Sequence, residues 1–392
     1  MSEIGLRFNA GVEYKENVYA SSVYINGLFE LNLITGQLRY IKKFEKEKVC
    51  FAIHRIAFLH GCEAWFIPQN GEYIAIINLE TFSIQYIKPL FQQINEKAVE
   101  KINCVYYSGD IIEDRYLYLI PTNIDALLLI DMDTKELYPY YNISTPKEYF
   151  LYGTYVDHSI YLPPYTGRHL LKVDLKSNKR TRLPWEYPFG AYAELIAYHN
   201  RLWASPFDSS SLLGINMDTN EINKIPLESF YDSECKYEQI IIKHDLLFMI
   251  PFQSDKVLVF DIARNKLSQI VLGEELLKNG NNGATRIYSK DNLILACYKQ
   301  NYLLIYENDK NSFREIKIHM EWHQLLKEMK DSTSDHNFYL EDFMHKNLYV
   351  FGNYCNENQI GLEQYITIHL KNETEKSAIK SENIIWKKVK EN

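Results

Sequence analysis

No stretch of about eighteen apolar residues occurs anywhere in the chain, so a membrane-crossing helix is not expected. The opening residues MSEIGLRFNA carry neither a basic segment nor an apolar core, so a secretory leader is not expected either. There is no Cys-x-x-Cys pair: Cys50, Cys62, Cys104, Cys235, Cys297 and Cys355 are scattered, which points to reduced, mostly buried thiols and a cytoplasmic location. Positive charge is not in excess. Lys and Arg number 43 against 51 Asp and Glu, a net charge of -8, which argues against nucleic acid as a partner.

What the chain does have is apolar residues (46%), moderate charge (24%) and 31 tyrosines, a composition that supports a large folded core. A short motif recurs along its whole length: an apolar strand, an Asp or Asn, a polar turn and a second strand. LFELNLITGQLRYI, IAIINLETFSIQYI, LLLIDMDTKELYPY, LLKVDLKSNKRTRL, LLGINMDTNEINKI and VLVFDIARNKLSQI are clear copies; LLIYENDKNSFREI and YITIHLKNETEKSA are weaker ones. Their anchors are Asn32, Asn78, Asp131, Asp174, Asn216, Asp261, Glu307 and His369, spaced by 46, 53, 43, 42, 45, 46 and 62 residues. That is the period of propeller repeats.

Each copy divides into four strands, a to d. In the fifth they are AELIAYH, RLWASPF, SLLGINM and EINKIPL. A proline closes strand b in five copies (Pro68, Pro121, Pro163, Pro206 and Pro251), 10 or 11 residues before the anchor, where the missing N–H of proline is tolerated. The pattern resembles the β-propeller repeat superfamily of WD-repeat, Kelch and YVTN-like proteins. The Gly-His and Trp-Asp pairs, the double glycine of Kelch repeats and the tryptophan motifs of quinone-dependent dehydrogenases are absent. The resemblance therefore implies a fold and no inherited active site. The expected architecture is all-β: one closed propeller over residues 1–392, built of four-stranded blades, eight by the anchor count with seven as the alternative. Inserted segments with helical spacing are expected near 91–103 and 319–337.

The histidines invite a metal reading. However, His60, His199, His244 and His345 all fall where strand a ends, a turn position spread around a ring. His319 and His323 flank Glu321 with helical spacing, but they do not form the HExxH pattern. Lys278–Tyr288 is glycine-rich but leads into a strand rather than a helix, unlike a phosphate loop. Neither a metal nor a cofactor is expected.

Strand a lines the channel of a propeller, and its first residues are polar in successive copies. This selects His54, Arg55, Tyr107, Tyr152, Glu194, Glu238, Gln239 and Arg286 as candidate ligand-binding residues. Tyr155, Tyr165, Tyr187 and Tyr192 are expected near the same mouth. No nucleophile, base and orienting group can be assembled from the sequence, so no catalytic residue is assigned. The expected function is a binding or scaffold propeller that engages a peptide or partner protein at the channel mouth. The alternative is a glycan- or peptide-modifying enzyme (lyase, epimerase or hydrolase) whose acid–base groups include Arg55, Glu194 and Glu238.

Overall fold

A computed structural model describes residues 6–319, apart from 24, 48–51, 89–106, 114, 122–126, 142–148, 167–168, 185–190, 228–235, 273–282 and 298–300. The expected insertions near 91–103 and 319–337, the eighth repeat copy and His345 thus lie outside the described residues, except for His319. Within them the chain forms consecutive four-stranded antiparallel sheets, each with its strands in chain order. Blade 1 runs from Phe8 to Lys42, blade 2 from His54 to Ile87 and blade 3 from Tyr107 to Tyr141. Blade 4 runs from Thr154 to Pro184, blade 5 from Tyr192 to Pro226, blade 6 from Lys236 to Val271 and blade 7 from Ala284 to Lys317. All seven recognisable anchors, Asn32 through Glu307, are the last residues of their c strands.

The strands read as unbroken apolar runs because both faces of a blade are covered by its neighbours. In strand b of blade 2, Glu63–Pro68, everything after Glu63 is buried. Trp65 and Ile67 pack with Leu117, Leu119, Leu128 and Ile130 of blade 3. Ala64 and Phe66 point the other way, toward Ala10, Val12 and Leu28 of blade 1. Only the outermost strand returns to alternation with exposed polar residues, as in Lys266–Val271. The period-2 signal is therefore weak except at the rim of the ring.

From blade 1 to blade 6 strand a of each blade touches strand a of the next, strand b of blade 6 touches strand a of blade 7, and the sequence of contacts closes from strand a of blade 7 to strand a of blade 1. Val12 and Tyr288 form a parallel bridge at that seam, with Glu13 N donating to Tyr288 O at 2.7 Å and Tyr288 N to Gly11 O at 2.8 Å. The Glu13 carboxylate takes hydrogen bonds from Ser289 Oγ and from Asn292 Nδ2. The protein is a seven-bladed β-propeller. This corrects the eight expected from the anchor count: blades 7 and 1 hydrogen-bond directly, which leaves no place in the ring for a further sheet.

The two ends of the ring are built differently. On one end lie the a-to-b and c-to-d turns, most of them tight; the a-to-b connection of blade 7, between Ile287 and Ile294, is longer. Each Asp or Asn anchor accepts backbone N–H groups from its own turn; Asn32 Oδ1 receives those of Ile34 and Thr35 at 3.0 and 2.9 Å, and Asn216 Oδ1 those of Asp218 and Thr219. Four residues after every anchor the backbone turns left-handed, at Gly36, Phe82, Lys135, Asn178, Asn220, Asn265 and Asn311. This end is stitched across blades. His60 Nε2 lies 2.8 Å from Asp133, Lys135 Nζ lies 2.7 Å from Glu63, Tyr198 donates to Asp245 at 2.6 Å, and Lys243 reaches the Lys290 carbonyl. His199 and His244 occupy left-handed turn positions, as their repeat position predicts. They are nearer to each other than expected, since His199 pairs with Asp245, the neighbour of His244. The opposite end carries the b-to-c loops and the longer d-to-a connections.

Candidate functional site

The channel end of strand a, on the loop-bearing side, holds one irregularity that recurs. In blade 2, His54 pairs with Pro68 and Ile56 with Ile67, which leaves Arg55 as an extra residue. Blade 6 repeats this, with Tyr237 opposite Pro251, Gln239 opposite Ile250 and Glu238 extra. In blade 3 the extra residue is Ser108, in blade 1 Asn9, and in blade 5 the bulge spans Ala193 and Glu194. Blade 4 is interrupted at the same level: its inner edge is split around Leu151–Gly153, and Tyr152 bridges to Glu194 of blade 5. Blade 7 alone has an unbroken ladder there, from Ala284 opposite Cys297 onward.

The prolines account for most of this. Pro68, Pro121, Pro206 and Pro251 each stand opposite the residue just before a bulge, and a proline has no N–H to give the inner strand. The ladder slackens at that point, and a bulge re-aims a side chain that regular pleating would send into the blade interface. Blade 7 has Cys297 in place of the proline and has no bulge. Blade 1 bulges opposite Ser22 without one.

The re-aimed side chains meet. Arg55 donates through Nε to Tyr152 Oη at 3.0 Å and through its terminal nitrogen to Glu238 Oε1. Blades 2 and 6 are three blades apart, as far as a seven-membered ring allows, so this pair spans the channel. Arg286 Nη2 stands 3.5 Å from Glu194 Oε1, and Glu194 Oε2 accepts the Ile240 N–H at 2.5 Å. Gln239 Oε1 accepts the Arg286 N–H at 2.9 Å. The arginine side chains are 26% and 28% exposed and the glutamates 10% and 9%, so the arginines are the more solvated half of the belt. Among the described residues the belt counts two guanidinium groups and two carboxylates.

Above the belt, on the b-to-c loops, stand three half-buried rings. Tyr165 packs edge-on against Phe207 at 5.2 Å, Phe207 lies 5.8 Å from Phe252, and Lys236 Nζ sits 5.2 Å over the Phe207 ring. Burial pushes the Tyr165 phenol upward, while nearby Arg55 pulls it down and Asp208 raises it. Tyr165 therefore shares the electrostatic environment of the belt.

Of the expected residues, Arg55, Tyr152, Glu194, Glu238, Gln239 and Arg286 are thus brought together. His54 is not: it is fully buried, with Nδ1 3.1 Å from Ser21 Oγ and its ring against Phe44 and Phe66. Burial pushes it down to about 3, so it is a neutral core residue. Adjacent strand residues face opposite sides, and the bulge gives the channel to Arg55. Tyr107 begins strand a of blade 3, but its side chain lies outside the described residues, as does Tyr187. Tyr155 belongs to the opposite end, where its hydroxyl meets His158. Tyr192 is buried and clamps its b-to-c loop by bonding Ser209 Oγ at 2.7 Å. Asn9 was not foreseen. It sits on the bulge of blade 1 and donates to the His54 carbonyl and to Gln69, and blade 1 lacks the proline that would have marked it.

No family model matches the chain, and no curated protein matches it in sequence. Solved structures do resemble it. A streptogramin B lyase structure aligns with a TM-score of 0.58 at 11% identity, over 76% of this chain and 93% of that one. The computationally designed Ika8 protein aligns with a TM-score of 0.52 at 9% identity, over 80% and 87%. At these identities the likeness is one of fold.

Proposed function

We propose that the protein is a ligand-binding propeller that takes a peptide or a segment of a partner protein at its loop-bearing channel mouth. The observation that supports this is the recurring bulge. Four of the candidate side chains (Arg55, Tyr152, Glu194 and Glu238) leave their blades at the same interruption of strand a and converge on the axis beneath half-buried aromatic rings. A fold that needed only stability would keep these ladders regular and the belt apolar, since a well-packed apolar replacement of a buried ion pair is often as stable.

That same physics sets the experiment. Arg55→Ala strands Glu238 in a low-dielectric site and is expected to cost about 3–5 kcal/mol. The paired change Arg55→Met with Glu238→Leu removes both charges and is expected to stay folded. A displayed peptide library selected on the native protein should yield binders that the paired variant loses and that His199→Ala, on the stitched end, retains. Binders indifferent to the paired variant would refute the reading.

A second reading has one observation in its favour. The Tyr152 hydroxyl is held by a guanidinium beside the Glu238 carboxylate, a grouping suited to acid–base chemistry on a glycan or peptide. The streptogramin B lyase fold carries an enzyme of its own, though at an identity that transfers no residue. Under this reading Tyr152→Phe would abolish turnover and leave binding in place.

A further inference from the structure

We infer that Tyr73 and Tyr86, on the outer strands of blade 2, form a recess for a trimethylated lysine side chain, which enters by displacing the chain's own Lys46. The site is separate from the channel belt and does not depend on the binding reading above. Lys46 is exposed, in the connection from blade 1 to blade 2, with Glu45 and Glu47 on either side of it in the chain. Among the described residues its Nζ pairs with no carboxylate. It lies instead 5.6 Å over the Tyr73 ring and 5.4 Å over the Tyr86 ring, whose planes meet at 75° with their centroids 5.8 Å apart. Lys88 brings a second cation to Tyr73, at 5.4 Å, while pairing with Glu72 at 2.9 Å. A solvent-exposed ammonium that turns to two ring faces, although carboxylates flank it in the chain, marks the rings as a cation site.

Both rings are held in place by the backbone around them. The turn that carries Lys46 is closed by Glu47 N donating to Phe44 O at 3.1 Å and is pinned to buried Asn26, whose Oδ1 accepts the Phe44 N–H at 3.0 Å. The buried Glu47 carboxylate reaches across to the next loop and accepts the N–H groups of Glu72 and Tyr73 at 2.8 and 2.9 Å. Gly71 permits that approach, since a Cβ there would lie 2.8 Å from Glu47 Oε1. Tyr86 faces the same turn. Burial pushes its phenol up to about 12, the N–H groups of Glu45 and Lys46 oppose the rise, and the charges of Glu45 and Glu47 add to it. Its hydroxyl is covered and has no hydrogen-bond partner among the described residues, so Tyr86 contributes its ring rather than a polar contact.

A bare ammonium is not the best occupant of such a recess. It is compact and strongly hydrated, and it gives up water to meet a ring. Both of its ring distances fall near the outer end of the range in which a cation is held, roughly 6 Å. A trimethylated head keeps the charge, has no N–H to leave unsatisfied, and carries methyl groups that meet both ring faces across that separation. The stem that delivers it is the one Lys46 already uses, which names a lysine side chain as the source of the head.

The probe is Nα-acetyl-trimethyllysine amide. It is compared, by NMR titration, with its unmethylated counterpart and with a neutral analogue in which carbon replaces the quaternary nitrogen. Lys46→Ala is expected to bind the trimethylated probe at least about tenfold tighter than either comparison, and tighter than the native protein binds it. Adding Tyr73→Leu or Tyr86→Leu to that variant should abolish the preference, and Tyr86→Phe, which keeps the ring, should retain it. Tyr73→Leu carries the test if Tyr86→Leu fails to fold. Choline has the head without the stem and should bind more weakly than the probe; tighter binding of choline overturns the assignment to lysine. Equal affinity for the neutral analogue, no gain from Lys46→Ala, or a preference that survives Tyr73→Leu overturns the inference. So does loss of the preference when Arg55→Met and Glu238→Leu are introduced together, which would place the cation at the channel mouth.

Discussion

His54 and Arg55 are neighbours in the chain with opposite fates, and the difference is measurable. His54 is neutral and buried, and Nε2 finds no hydrogen-bond partner among the described residues. Its value falls from 6.5 to about 3 on folding, so between those limits the unfolded chain binds the extra proton. The stability contributed by the neutral ring is complete above pH 6.5 and is lost as the pH falls, by about 1.4 kcal/mol per unit. Urea midpoints at pH 7.5, 6 and 5 should decline for the native protein and decline less for His54→Asn, whose amide still reaches Ser21. Parallel declines would show that His54 carries none of the acid sensitivity. The sequence made His54 and Arg55 look alike, two polar residues at the start of a strand. Only the position of the bulge tells which side each one faces.

At the level of strands, the sequence was most legible where local chemistry repeats. In six blades the anchors mark the c-to-d turns because a short side-chain acceptor ahead of a left-handed residue closes them, blade 7 closes its turn through the Glu307 carbonyl instead, and each anchor falls at a strand end. The prolines were equally visible, but their effect was not, since a missing N–H acts on the partner strand. A bulge residue adds length without adding to the ladder, which predicts an asymmetry between deletions. Removing Arg55, in a Glu238→Gln background to avoid a stranded charge, should leave His54 and Ile56 in their present pairings and the protein folded. Removing Phe58, three residues on, should slip the register by one and turn the buried set to the wrong faces. Circular dichroism and thermal melting distinguish the two, and equal damage from both deletions would count against the bulge.

Across the whole molecule, the sequence overcounted the blades because repeat copies reveal how many sheets a chain can write, not which ones the ring admits. The last interval, 62 residues against 42 to 53 elsewhere, was the available warning. Closure depends on backbone contacts at one seam, where His319 N donates to Gly36 O at 2.8 Å and Leu38 N to His319 O at 3.1 Å. Gly36 has φ +71°, and a Cβ there would lie 2.1 Å from the Lys317 carbonyl oxygen. Gly36→Ala is therefore expected to lower the melting temperature and to speed amide exchange in blades 1 and 7 while blade 4 keeps its protection. Uniform loss of protection around the ring would mean that the seam is no weaker than any other junction.

The bulges also separate two jobs that most strands must do at once. A residue inside a ladder is constrained by its partner across the sheet and by the blade packed over it; a residue on a bulge answers to neither. Five of the seven blades carry such a bulge at the loop-bearing end of strand a, and blade 4 is interrupted at the same level, so most blades hold a position there that lies outside the ladder. On the binding reading proposed above, new specificities are reached by substitutions at these positions, made in pairs where two of them share an ion pair as Arg55 and Glu238 do, rather than by remodelling a loop.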